Sequence, residues 1–222
     1  MVDADFIAEH TAEVPLADGG RIVVRPIVPE DKDALIRGFE RLSDRSRRFR
    51  FFQSRDSLTK RELEYLTEID YFDHFAWVAI DPDFGDPDGG VGVARYIRSP
   101  DEPDAAEPAV TVLDEYQGRG IGGTLLALLA ESAVANGIRR FRADVLADNA
   151  EILGGFTENA RVKPIADGVV SVEVDLPITA EGFRSSFMYE LLRQVADGKV
   201  VPRPLQWQDV GTTEPEGMTE SR

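Results

Sequence analysis

Two periods alternate along the chain. "RIVVRPIVPED", Arg21 to Asp31, carries β-branched residues such as Val23 and Ile27 and predicts a strand that ends in a turn. Pro26 assigns that strand to a sheet edge or a bulge, because proline donates no ladder hydrogen bond. From Asp31 to Leu42 the pattern changes, and Ala34, Leu35, Phe39 and Leu42 recur at helical spacing. "LTKRELEYLTEI", Leu58 to Ile69, predicts a second amphipathic helix, opened by Thr59 with Glu62 three residues on as a capping box.

Strands follow. "FAWVAID" (Phe75 to Asp81) is apolar, "PDFGDPDGG" is made of turn formers, and "VGVARYIR" (Val91 to Arg98) alternates, so the three predict a hairpin or meander. "SPDEPDAAEP" reads as an acidic loop and "AVTVL" (Ala109 to Leu113) as the next strand. A leucine-rich helix comes after it. "RRFRADVL" (Arg139 to Leu146), a weak helix in "DNAEILGGFTENA" and a closing strand "VVSVEVDL" (Val169 to Leu176) complete the series. "AEGFRSSFMYELLRQVA" (Ala180 to Ala196) predicts a late amphipathic helix that docks on the core or pairs with a second copy, and "TTEPEGMTESR" a polar tail. Several antiparallel strands before one strand–loop–helix–strand unit predict a mixed α/β sheet with helices on it.

Composition narrows the chemistry. The 222 residues, 42% hydrophobic and 30% charged, suit a globular chain with a sizeable core. Cysteine is absent, which excludes disulfides, thiolate nucleophiles and cysteine-ligated metals. His10 and His74 stand in no metal-ligand spacing, no G-x-S-x-G elbow exists, and His74 at a strand entrance reads as structural. With 25 basic and 41 acidic residues the net charge is −16. A field of that sign repels nucleic acid and anionic membranes and attracts cations, so a basic substrate is compatible with it. The arginines of "RSRRFRFF" (Arg45, Arg47, Arg48, Arg50) read as a solvated face with Phe49, Phe51 and Phe52 turned inward. The acidic start "MVDADFIAEH" lacks a signal pattern, and no apolar run approaches the ~20 residues of a bilayer span. A cytoplasmic protein is the expectation.

The stretch "YQGRGIGGTLLALLA", Tyr116 to Ala130, holds four glycines within Gly118–Gly123 at the mouth of the leucine-rich helix. A helix start leaves N–H groups unpaired and carries partial positive charge, and a loop without side chains lets an anion reach them. Three motifs compete for it. Gly118, Gly120 and Gly123 spell the dinucleotide fingerprint G-x-G-x-x-G, with Asp144 near the position of a ribose-binding acid. There, however, the glycines abut the strand, whereas here "DEYQ" intervenes. Gly118 and Gly123 also give G-x-x-x-x-G, but Thr124 stands where a P-loop needs lysine. "QGRGIG", Gln117 to Gly122, fits Q-x-x-G-x-G at every position.

That last motif resembles the acetyl-CoA loop of the GCN5-related N-acetyltransferases (GNAT). The ordered set "LADGGRIVVRPIVPED", "LSDRSRRFRFF", "IDYFDHFAWVAID" and "AVTVLDEYQGRGIGGTLL" resembles the acetyltransferase domain of bacterial protein-lysine acetyltransferases, over roughly Leu16 to Leu176. The resemblance implies a mixed, mostly antiparallel central sheet flanked by helices. It implies an N-terminal extension (1–15), an acetyltransferase domain (16–178), and a C-terminal helix with polar tail (179–222). It further implies acetyl-CoA as co-substrate without a metal, and an amine acceptor, foremost a protein lysine. The cofactor set it implies is the backbone of Gln117, Gly118, Arg119, Gly120, Ile121, Gly122, Gly123 and Thr124 on the diphosphate, with Arg119 adding charge, together with Asn149. Val112 on "AVTVL" would hold the pantetheine arm, with an N–H near Val112 or Leu113 on the thioester carbonyl. Glu107 would be the general base. Many GNAT members carry a tyrosine general acid seven residues after the asparagine; here that position is Phe156, with Gly154 and Gly155 before it. Tyr116 and Tyr96 are the alternative hydroxyls. Outside the resemblance, a nicotinamide oxidoreductase and a non-catalytic acyl-CoA sensor stand as alternatives.

Overall fold

The computed structural model describes residues 4–16, 18–43, 57–84, 89–146, 160–164 and 169–176. Its order is α1 (Ala4–Glu9), β1 (Ala12–Pro15), β2 (Arg21–Pro26), α2 (Lys32–Arg41), α3 (Lys60–Thr67), β3 (His74–Ile80), β4 (Gly90–Arg98), β5 (Ala105–Val112), α4 (Ile121–Ala135), β6 (Arg140–Leu146), β7 (Ala160–Pro164) and β8 (Val169–Asp175). Short 3-10 turns precede α2 and follow β5.

The strands form one sheet in the order β1-β2-β3-β4-β5-β6-β8-β7. All neighbours are antiparallel except β5 and β6, which α4 connects as a parallel pair. This is the mixed, mostly antiparallel sheet expected, and it is unlike the all-parallel order that the dinucleotide fingerprint requires.

α4 lies on one face. Leu125 and Leu129 are fully buried with Leu126 and Ala133 against β3, β4 and β5. Trp77 from β3 donates its indole N–H to Ser132 Oγ at 3.0 Å. α2 and α3 cover the opposite face, where Ile27, Ala76 and Val78 form a smaller apolar cluster with Leu35 and Val93.

Several sequence expectations change. β2 sits between β1 and β3 rather than at an edge, and Pro26 is tolerated as its last residue. Residues 12–15 already belong to the sheet, so it begins before residue 16. β5 starts at Ala105, not Ala109, so Glu107 lies within the strand rather than at its start. β7 carries no strong alternation and was not anticipated. The "RSRRFRFF" run, the weak helix with Gly154 and Gly155, and the late helix over 180–196 lie outside the described residues. Among the described residues no helix is long and apolar enough to cross a membrane.

The capping box at α3 forms as read. Thr59 Oγ1 accepts from the Glu62 N–H at 3.3 Å, while Glu62 Oε2 takes the Thr59 N–H at 2.8 Å and its hydroxyl at 2.7 Å. Glu62 is buried, so Thr59→Ala leaves both a bare helix start and a carboxylate short of one donor. We expect a loss of about 1–2 kcal/mol, read as a lower urea midpoint at unchanged m-value.

Candidate active site

β5 and β6 pair only at Ala105↔Arg140 and Ala106↔Phe141, then part. On its other side β5 stays paired with β4 from Ala106 to Val112. The next even-numbered donor facing β6 would be residue 108, and proline has no N–H to give. Among the described residues no strand pairs with this side of β5 beyond Ala106.

The register decides which backbone groups face that open side. Leu113 N–H donates to Val91 O at 2.9 Å and Ser99 N–H to Ala105 O at 2.9 Å. Odd-numbered residues of β5 therefore bond to β4, and the even-numbered ones turn toward β6. Val110 and Val112 thus present N–H and C=O groups along the open edge, and Val112 O accepts from Gln117 Nε2 at 3.2 Å. Leu113 is committed to Val91, which removes it as a carbonyl donor.

The glycine loop meets this edge at the start of α4. Gly118 and Gly120 have φ of +77° and +90°, a region costly to side chains. Gly120 is the N-cap, with no side chain to satisfy the first turn. The Gln117 N–H goes to Asp114 O and the Thr124 N–H to Gly120 O, so neither end of the sequence-derived set offers its backbone. The first-turn N–H groups of Ile121, Gly122 and Gly123 remain, a preformed cradle of donors with the helix dipole behind it. Gly122 lies over Val110 and Val112, which brings cradle and open edge together. The Arg119 guanidinium does not face the cradle alone: it pairs with Asp18 and lies 4.9 Å from the centre of the Tyr116 ring.

Glu107 is half-buried and points to the other face. It stands in the cross-strand row His74–Ile97–Glu107, beside the row Ala76–Arg95–Ala109. Arg95 is almost wholly buried and donates to Leu66 O at 3.1 Å and to His74 Nε2 at 2.8 Å. Arginine has no acceptor, so His74 Nε2 must be the unprotonated nitrogen. The Tyr65 ring lies 5.2 Å from His74. Burial, more than the charges of Asp70 and Glu107, pushes the Tyr65 hydroxyl above its usual range, against the lowering effect of Arg95. A cavity of about 100 Å³ opens beside this group, lined by Phe39, Leu42, Leu66, Val93, Arg95 and Thr111 among others. Sequence reasoning missed Arg95 and Tyr65. The alternation in "VGVARYIR" puts Arg95 on an inward face, and that was the available signal.

Two tyrosines considered as acids are occupied. Tyr96 is fully buried, donates to Phe72 O and accepts from Asn136 Nδ2, and burial lifts it to about 12. Tyr116 donates to Asp81 Oδ2 at 2.8 Å; burial first, then Asp81, pushes it up to about 12. Asn149 and Phe156 lie outside the described residues. Among the described residues no group of three or more acidic or histidine side chains is placed to hold a metal ion.

Comparison with known proteins gives a consistent result. Residues 41–154 match the acetyltransferase (GNAT) family model. The chain is 38% identical over 165 residues to Acetyltransferase Pat of Mycolicibacterium smegmatis, across 74% of this chain and 48% of that protein. It is 34% identical over 143 residues to an acetyltransferase of Pseudomonas aeruginosa, across 64% of this chain and 75% of that one. Among solved structures, the GNAT domain of S. lividans PAT superposes with a TM-score of 0.64 at 32% identity, covering 79% of this chain and 100% of that one. The chain spans about half the length of its mycobacterial relative.

Proposed function

The chain belongs to the GNAT acetyltransferase family, and from that membership we propose that it transfers an acetyl group from acetyl-CoA to a primary amine, with a protein lysine as acceptor. The observation that carries the reading is the open edge of β5 running into the uncapped start of α4. The donors present suit the molecule. An uncapped first turn takes a diphosphate, and an edge with alternating N–H and C=O takes an amide-bearing arm as if it were another strand.

Acetyl-CoA supplies the thioester whose carbonyl carbon is attacked and whose thiolate leaves. Ile121, Gly122 and Gly123 hold the diphosphate. Val112 anchors the pantetheine arm through its N–H. The donor to the carbonyl oxygen is better assigned to Val110. Glu107 lies five residues from Val112, about 17 Å along a strand, but three from Val110, about 10 Å. Only the nearer N–H polarises a carbonyl within reach of a base on Glu107. An acceptor lysine arrives charged, with an ordinary pKa near ~10.4, and Glu107 takes its proton directly or through one water. The amine then attacks without a covalent enzyme adduct. Thiols ionise near ~8.5, so the thiolate can leave unprotonated with phenylalanine at position 156 and with Tyr96 and Tyr116 engaged elsewhere.

Calorimetric titration tests the reading, with NADH as control. Acetyl-CoA should bind and NADH should not, and the complex should acetylate a lysine peptide. Binding of NADH alone would overturn it. Acetyl-CoA binding without turnover on peptides or small amines would leave an acyl-CoA-binding module instead.

A further inference from the structure

The acidic tip of the β1–β2 hairpin reaches the glycine loop. Asp18 Oδ1 accepts the Gly20 N–H at 3.0 Å, which turns Oδ2 outward onto Arg119 Nε. The hairpin backbone is shaped around the guanidinium. Leu16 and Gly20 close the turn, N–H to O, at 2.8 Å, and a Cβ on Gly20 would stand only 2.6 Å from Arg119 Nη2. Below, the guanidinium lies on Tyr116, which Asp81 and the edge of Phe84 hold in place. The nearby Arg41 is itself paired with Glu115. Among the described residues, Asp18 is the sole hydrogen-bond partner of Arg119. The Arg119 bond, ahead of the Gly20 N–H, holds the Asp18 carboxyl below its ordinary range.

Arg119 stands in the glycine loop, two residues before the first donor of the cradle, in a chain of net charge −16, and its charge is neutralised from within. We propose that Asp18 is a built-in competitor for the cofactor's diphosphate: it occupies Arg119 in the free protein, and the diphosphate draws the guanidinium away from it on binding. The hairpin thereby sets cofactor affinity lower than the cradle alone would give. This rests on the acetyl-CoA reading above. Both charges are partly exposed, so the exchange is a modest one in water. A diphosphate nonetheless offers more negative charge and bidentate acceptors than a single carboxylate, which favours the exchange.

The test is calorimetry with acetyl-CoA and with acetyl-pantetheine, which lacks the diphosphate. Asp18→Asn should tighten acetyl-CoA binding roughly two- to fivefold, the range of an exposed ion pair, and leave acetyl-pantetheine unchanged. Gly20→Ala crowds the guanidinium off the hairpin without altering charge and should give a gain of the same sign. In an Arg119→Gln background the Asp18→Asn gain should vanish, because the two residues act as one unit. Unchanged or weaker acetyl-CoA binding in Asp18→Asn, with Arg119 intact, would mean that the pair is a scaffold for the loop and would overturn the proposal. Equal gains for both thioesters would overturn it too, since the diphosphate would then play no part. Failure of the wild-type protein to bind acetyl-CoA would instead remove the acetyltransferase reading on which it rests.

Discussion

Glu107→Gln is expected to lower kcat near neutral pH by roughly a hundred- to ten-thousand-fold, the usual weight of a positioned base. The affinity for acetyl-CoA should be nearly unchanged. The reason is the register. Glu107 faces the side of the sheet covered by α2 and α3, with Arg95 and the cavity, while the glycine loop sits at the start of α4 on the other side. The substitution removes a proton acceptor and leaves the cradle intact. The pH profile adds a sharper mark. Near pH 7.4 only about one lysine in a thousand is uncharged, given a pKa of ~10.4. Without a base the variant depends on that fraction, so its rate should rise about tenfold per pH unit until the amine is mostly neutral. Wild-type protein should be flatter over the same range. Full activity of Glu107→Gln at neutral pH would remove Glu107 as the base.

Val110→Pro is expected to lower kcat by roughly a hundred- to a thousandfold, the cost of one lost donor to a developing oxyanion. The substitution is informative because of where Val110 N–H points. It belongs to the even-numbered set turned away from β4, so proline there removes no bond of the β4 ladder. Pro108 already occupies the same parity in the same strand, which shows that the sheet accepts the ring. Val112→Pro makes a useful contrast. If Val112 anchors the pantetheine arm, its loss should appear chiefly as a higher KM for acetyl-CoA with kcat less affected. A kcat loss confined to Val112→Pro, with Val110→Pro active, would return the carbonyl donor to Val112. Circular dichroism and the thermal midpoint of each variant separate chemistry from packing, since both valines are buried under α4.

Much of this was legible in the chain alone. The period of two in "VGVARYIR" and the capping box at Thr59 are local signals, set by which side chains face a core and which donors a helix start leaves open. The glycine loop is also a local signal, because glycine takes a positive φ without side-chain cost, as Gly118 and Gly120 do. These placed β4, α3 and the start of α4 close to where they lie. Glu107 was singled out by resemblance rather than by any pattern of its own, and it was set at the start of a strand rather than within β5. The acids of "SPDEPDAAEP" obscured the strand start, and pairing with Ile97 and Arg98 overrode their weak β preference.

The sequence by itself determined most of the segments, their inward faces and the glycine-rich start of one helix, free of a capping side chain. Tertiary structure alone decided strand order, the parting of β5 from β6 and the direction of each backbone N–H. It tied the Leu113 N–H to Val91, left the Val110 N–H on the open edge of β5, turned Arg119 onto Asp18, 101 positions away in the chain, and buried Arg95 against His74. The physical reason is that periodicity reports burial, a property of one segment against a generic core. Hydrogen-bond direction and charge pairing are properties of two segments in register, and no single segment carries its partner's register.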